Sequence, residues 1–193
     1  EWPTQLDKIV ERVVELGDDC NVYFSPYLFS GRNSEKSSVI PSRTIVADLD
    51  DANVLTLPLK ATVLVESSPA RHQGYWILKE QLTLEEHEAL SKKLTYSIPR
   101  CDRTGWFLGK KVRVPGTMNL KYSTGKKFVR VIDSNGFFYS ANDLESLPTL
   151  KEMYGSDAKK YEIDEDNLEW VEAAQKLDIG PIELLTSIRS SLP

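Results

Sequence analysis

Thr44-Ile45-Val46-Ala47-Asp48-Leu49-Asp50-Asp51 decides how this chain is read. Its β-branched and apolar start predicts a strand over Thr44–Leu49 that ends in carboxylates. A strand repeats its side-chain direction every second residue. Asp48 and Asp50 are therefore expected on one face, roughly 7 Å apart along the backbone, with Asp51 on the other as a bystander. Two carboxylates aimed the same way repel each other. Hard divalent cations, Mg²⁺ or Mn²⁺, would relieve that repulsion. Two such ions about 3.5–4 Å apart clamp the attacking and leaving oxygens of a phosphoryl displacement. The bland alternative is an acidic cluster that closes a strand at a solvated turn, and the D-x-D spacing alone does not separate the two.

Outward from this strand, the pattern predicts further elements. A helix is expected from Pro3, with Leu6, Ile9, Val10, Val13 and Val14 at helical spacing and Gly17 as its stop. Strands are expected at 21–24, 62–66 and 74–78, with a connection at 51–61. Thr83 and Glu86 form a capping-box pattern ahead of a helix that runs to about Leu94. A short strand is expected at 112–114. Phe128–Ile132 and Phe137–Tyr139 flank Asn135-Gly136 and predict a hairpin. A short helix is expected after Asn142, then a polar linker over 151–163. Two helices follow, one capped by Asp164 and one beyond Gly180-Pro181. Strands mixed irregularly with helices predict an α+β fold with a largely antiparallel sheet. The expected division is a catalytic domain over 1–150 and a linker with a helical tail over 151–193.

The chain has 193 residues, 40% of them hydrophobic, enough to bury a core. No apolar run approaches the ~20 residues of a membrane span, and no signal peptide is recognisable. Its two cysteines, Cys20 and Cys101, are too few for a four-cysteine zinc site. A reducing, cytoplasmic setting is expected, with no membrane partner. The net charge is −5, but it is unevenly spread. Lys92–Arg130 holds eleven Lys or Arg and one acid, Asp102, so this window is +10 and the remainder −15. A basic band in an acidic protein is the footprint of a polyanion. Tyr96, Trp106 and Tyr122 lie within it, and such aromatics can stack on single-stranded template. Alternatively, the band is a solvated face that meets the acidic tail.

Two more segments carry phosphate chemistry. Ser67-Ser68-Pro69-Ala70-Arg71-His72-Gln73-Gly74 offers hydroxyls, a guanidinium and an imidazole within six residues. The alternative is an ordinary polar turn with a partly buried His72. His87, between two glutamates in the expected helix, is taken as exposed and structural. Further on, Arg113-Val114-Pro115-Gly116-Thr117-Met118-Asn119-Leu120-Lys121 brackets a tight turn. Arg113, Asn119 and Lys121 could converge there on one triphosphate, or simply decorate a basic hairpin.

Taken in order, these segments resemble the archaeo-eukaryotic primase superfamily, above all the RepB-like primase and primase-polymerase domains of plasmids, phages and other mobile elements. The resemblance covers about residues 20–145. It rests on Val46-Ala47-Asp48-Leu49-Asp50, on the Ser-and-His segment at 67–76, on a third acid matched to Asp102, and on the R-x-PGT-x-N-x-K pattern at 113–121. The resemblance implies an RRM-like catalytic module fused to a smaller α/β unit. It implies metal ligation by Asp48, Asp50 and Asp102, and nucleotide-phosphate binding by His72, with Ser68 and Arg71. The implied activity is templated nucleotide addition on single-stranded DNA from nucleoside triphosphates, with a helicase or accessory domain as a possible neighbour beyond the C-terminus. No zinc module is expected.

Two other function classes compete. A non-catalytic origin- or strand-binding module with a relic fold would bind DNA but not add nucleotides. A D-x-D glycosyltransferase would hold a metal-bound diphosphate, but the expected elements lack parallel β-α-β alternation into the motif.

Overall fold

The structure, a computed structural model, describes residues 5–31, 35–40, 42–121 and 127–161. Pro3, Tyr122 and both helices expected beyond Asp164 lie outside the described residues.

A long hairpin organises the molecule. β5 (Val63–Ser68) and β6 (Arg71–Leu78) pair antiparallel around Pro69-Ala70, where Ala70 has φ 60°. β4 (Thr44–Asp48) pairs antiparallel with the other side of β6, in a register that sets Asp48 opposite Gln73. β10 (Arg130–Ser134) adds to the far side of β5. β11 (Phe138–Tyr139) lies parallel to the end of β6. The five strands form one mixed, mostly antiparallel sheet, and the α+β expectation holds.

The hairpin expected between 128–132 and 137–139 does not form. Asn135 and Gly136 do make a turn, with Gly136 at φ 70°. However, the Asn135 amide donates to the Thr62 carbonyl and its side chain to the Ala61 carbonyl. These bonds draw the turn across the end of β5, so β10 and β11 join different strands.

Side chains alternate between the two sheet faces. One face carries Ile45, Ala47, Leu64, Trp76 and Leu78 and packs against Leu90, Leu94 and Ile98. These last come from α2 (Leu84–Ser97) and the residue after it; α2 starts with the expected Thr83–Glu86 capping box. Burying such a large set of aliphatic side chains and Trp76 is the main force that holds α2 on the sheet. Gly74 is required beneath Trp76, because a Cβ there would lie 2.5 Å from the indole. The other face carries Val46, Val65 and Tyr75 and packs against Val112 and Val129.

Three two-stranded pairs surround the sheet: β1 (Tyr23–Phe24) with β7 (Val112–Arg113), β2 (Leu28–Phe29) with β3 (Val39–Ile40), and β8 (Met118–Asn119) with β9 (Lys127–Phe128). The N-terminal helix, α1 (Leu6–Leu16), forms as expected but buries none of its residues. α3 (Ala141–Glu145) follows β11. Residues 150–161, read as mostly linker, form α4 (Leu150–Tyr154) and a 3-10 segment. A Thr149–Glu152 capping box starts α4, and Leu150 is fully buried.

His87 corrects the sequence reading. It is 2% exposed, not on the surface. Its Nε2 lies 2.8 Å from the Thr44 carbonyl, and its ring meets Tyr27 edge-on at 5.1 Å. It ties α2 to the start of β4.

Candidate active site

The strand reading of the acidic run was half right. β4 ends at Asp48. Asp50 lies in the turn beyond it, at φ 35°, so strand alternation does not set its direction. The turn does. Arg71, at the start of β6, reaches Asp50 at 3.0 Å and Asp51 at 3.2 Å. Asp51 is therefore Arg71's second partner and not an isolated bystander, and Arg71 is held by carboxylates rather than left open for phosphate.

Asp102 arrives from a loop 54 residues away. Its amide donates to the Asp48 carbonyl at 3.0 Å, and the Cys101 thiol reaches the same oxygen. This pairing extends β4 into the 101–110 loop and brings the two carboxylates together. Gly105 makes the approach possible. A Cβ there would lie 2.9 Å from the Asp102 carbonyl and 3.2 Å from the Asp48 amide nitrogen.

Between Asp48 and Asp102 sits the ammonium of Lys110, at 3.0 and 3.3 Å, with its side chain 14% exposed. No local pattern in the sequence marks this residue's place. Thr104 adds hydroxyl and amide hydrogen bonds to Asp102.

The electrostatics follow from burial and neighbours. Burial raises Asp50, as do the charges of Asp48 and Asp102, against the pull of Arg71 and Lys110. Burial also works to raise Asp102, but Lys110 and the Thr104 hydrogen bonds outweigh it and hold the carboxyl below the usual carboxylate range. Lys110 stays raised despite burial because Asp48 and Asp102 face it.

Asp48 and Asp102 meet at Lys110, and Asp50 lies near enough to feel their charge while pairing with Arg71; the other expected residues do not all join them. His72 faces Glu66 across the hairpin, and alternation puts it on the Gly74 and Trp76 face, away from Asp48. Burial lowers its pKa, against the charge of Glu66, and its Nδ1 has no hydrogen-bond partner among the described residues. The residue on Asp48's side is Gln73, which the sequence reading passed over. It is 5% exposed, sits opposite Asp48, and its Oε1 is also unpartnered among the described residues. Ser68 is buried at the hairpin end and pairs across it with Arg71.

Two residues of the R-x-PGT-x-N-x-K pattern, Arg113 and Asn119, are tied into the surrounding structure by hydrogen bonds. Arg113 donates to the Asn21 side chain at 2.8 Å and stacks over Tyr23. Asn21 also accepts from the Leu120 amide. Asn119 is buried, donates to the Ser67 carbonyl and accepts from the Lys121 amide. Several charges of the basic band are likewise engaged: Lys93 with Glu152, Arg130 with Glu66, and Arg103 with the Thr95 carbonyl. Trp106 is buried under Lys92, which removes it as an open stacking platform.

The fold has solved counterparts. The archaeo-eukaryotic primase domain of the cyanophage S-2L primase-polymerase matches with a TM-score of 0.51 at 14% identity, over 76% of this chain and 84% of that one. The chain has the fold of an archaeo-eukaryotic primase domain. The catalytic domain of primase RepB′, solved with initiator DNA, matches with a TM-score of 0.53 at 16% identity, over 74% of this chain and 71% of that one. No family model and no curated protein matches the chain. Among the described residues, no helix is long and apolar enough to cross a membrane.

Proposed function

We propose that this archaeo-eukaryotic primase fold is a catalytic domain that adds nucleotides to, or starts, a primer on single-stranded DNA. One observation carries the reading. Carboxylates 54 residues apart, Asp48 and Asp102, converge on a single cation position, with Asp50 beside them.

The residues fit divalent ions chemically. All the available donors are carboxylate oxygens, which suits Mg²⁺ or Mn²⁺, and the Lys110 ammonium already stands where positive charge is wanted. As arranged, no three His, Cys, Asp or Glu groups among the described residues are close enough to hold an ion. Divalent ions bound there would activate an attacking 3′-hydroxyl and neutralise the leaving pyrophosphate. The chain's own residues do the rest. Thr104 orients Asp102, Arg71 steadies Asp50, and Gln73 offers an amide on the acids' side of the sheet. The part expected of His72 in binding nucleotide passes to Gln73 in this proposal. Ser68, Arg113 and Asn119 position the surrounding loops.

Asp48→Ala should abolish incorporation in primer-extension and primer-free assays with Mg²⁺ or Mn²⁺, while DNA binding persists. Full activity in that variant would end the proposal. The lysine inside the acidic cluster favours the second reading, a DNA-binding module without catalysis. It predicts salt-dependent DNA binding and no incorporation by the unaltered protein. The mostly antiparallel sheet speaks against a glycosyltransferase. A thermal-shift screen, in which nucleoside triphosphates with Mn²⁺ stabilise the protein and nucleotide sugars do not, separates that class.

A further inference from the structure

Lys110 presents a puzzle. An amine taken from water into a site open to only 14% of its side-chain surface is costly unless it is paired. It is paired twice, with the two carboxylates that the proposed chemistry needs for metal. The local backbone is built to deliver it. The Lys110 amide donates to the Phe107 carbonyl and closes a turn. Gly105 lets the loop that carries the lysine approach β4, since a Cβ on that residue would stand 2.9 Å from the Asp102 carbonyl and 3.2 Å from the Asp48 amide nitrogen.

Position sharpens the point. The ammonium stands 3.0 Å from an Asp48 carboxylate oxygen and 3.3 Å from an Asp102 carboxylate oxygen. An ion held between the same two carboxylates would need that place, so the lysine has to leave it. A lysine is suited to leaving. It is a compact point charge on a flexible four-carbon stem, unlike a guanidinium locked into a bidentate fork.

We propose that Lys110 is a resident counter-cation of the acidic site, which holds Asp48 and Asp102 together without metal and which a divalent ion must displace in order to bind. Lys110 is thus a positioning residue whose exchange with metal sets the site's cation affinity. The inference rests on the proposed catalytic reading of the acids.

The test uses the 193-residue chain and Mn²⁺ alone, followed by calorimetry and by the paramagnetic signal of free Mn²⁺. Lys110→Met and Lys110→Gln should bind Mn²⁺ at least about tenfold more tightly than the unaltered chain, a change of about 1.4 kcal/mol. A lysine with only a structural role would give weaker binding on removal. A second measurement needs no variant. The rate at which an amine-reactive reagent labels Lys110, read by peptide mass spectrometry, should be low in EDTA and rise when Mn²⁺ is added. Equal or weaker Mn²⁺ binding in both variants, or a labelling rate indifferent to Mn²⁺, overturns the inference. The two levels separate cleanly. If the unaltered chain binds Mn²⁺ and Asp48→Asn does not, the acidic site stands whatever Lys110 does. If neither the unaltered chain nor the Lys110 variants bind Mn²⁺, the catalytic reading falls together with this one.

Discussion

Replacing Gly105 with Ala adds one methyl group at the tightest point of the site. The new Cβ would lie 2.9 Å from the Asp102 carbonyl and 3.2 Å from the Asp48 amide nitrogen. Both are backbone atoms, so neither can swing aside as a side chain would. Ordinary contact begins near 3.4 Å, so relief requires a movement of about 0.5 Å, the difference between 3.4 and 2.9. The loop must move away from the end of β4. That movement loads the hydrogen bond from the Asp102 amide to the Asp48 carbonyl, now 3.0 Å. Stretched toward 3.5 Å, it is no longer a good bond. Overpacking of this kind costs about 1–3 kcal/mol. Gly105 is not among the residues with positive φ, so alanine recovers roughly 0.4–1 kcal/mol by restricting the unfolded chain. A net loss of about 1–2 kcal/mol is expected. At ~2–4 °C per kcal/mol for a chain of this size, the melting temperature should fall by a few degrees. Incorporation should suffer more. A misplacement of ~1 Å can cost about 10²-fold, so half of it predicts roughly a tenfold loss. Primer extension with Mn²⁺ and urea unfolding on the same preparations measure the two effects. Gly105→Ala with unaltered stability and unaltered incorporation would show that the close approach of the loop to β4 does not hold the site.

Four other substitutions test separate parts of the argument. Gln73→Ala should reduce incorporation more than His72→Ala; the reverse order in steady-state kinetics would return the nucleotide contact to the imidazole. Gly74→Ala puts a Cβ 2.5 Å from the Trp76 ring and should destabilise by about 1–3 kcal/mol in urea unfolding, and a neutral result would mean that the indole can move. Burial holds His87 below its ordinary value, against the hydrogen bond to the Thr44 carbonyl. As pH falls below about 6.5, the unfolded chain takes up that proton first, so this stability is present above that pH and lost below it. Urea midpoints measured at pH 7.5 and 5.5 should therefore drop further in the unaltered chain than in His87→Gln, and equal drops would refute a buried neutral His87.

The sequence disclosed the molecule's local grammar better than its long-range pairing. The apolar run into Asp48 and the Thr83–Glu86 cap involve neighbours in the chain, and both form as read. Asp102 was matched through its place in an ordered set of motifs, and the structure does bring it to Asp48. Other features depend on partners far along the chain. Asn135-Gly136 has ordinary hairpin chemistry, but bonds to residues 61 and 62 override it. Arg113 and Asn119 are suited to bind phosphate, yet Asn21 and Ser67 claim them. His87 has glutamates on both sides, yet its face of α2 turns inward. The choice between His72 and Gln73 depends on one step of strand register, and a motif match off by one residue reverses the face. Lys110 had no pattern to find, because its place is set only once two distant acids have met.

β6 is bonded to β5 and β4 on its two flanks and to β11 at its end. Removing it would undo most of the sheet at once, so its amides can exchange with solvent deuterium only through global opening. The Leu49 amide, bonded to the His72 carbonyl, lies at the margin of this slow-exchanging unit, directly between Asp48 and Asp50. Asp48 is therefore anchored at the edge of this unit, while Asp102 depends on a loop held to it by the backbone bond to the Asp48 carbonyl.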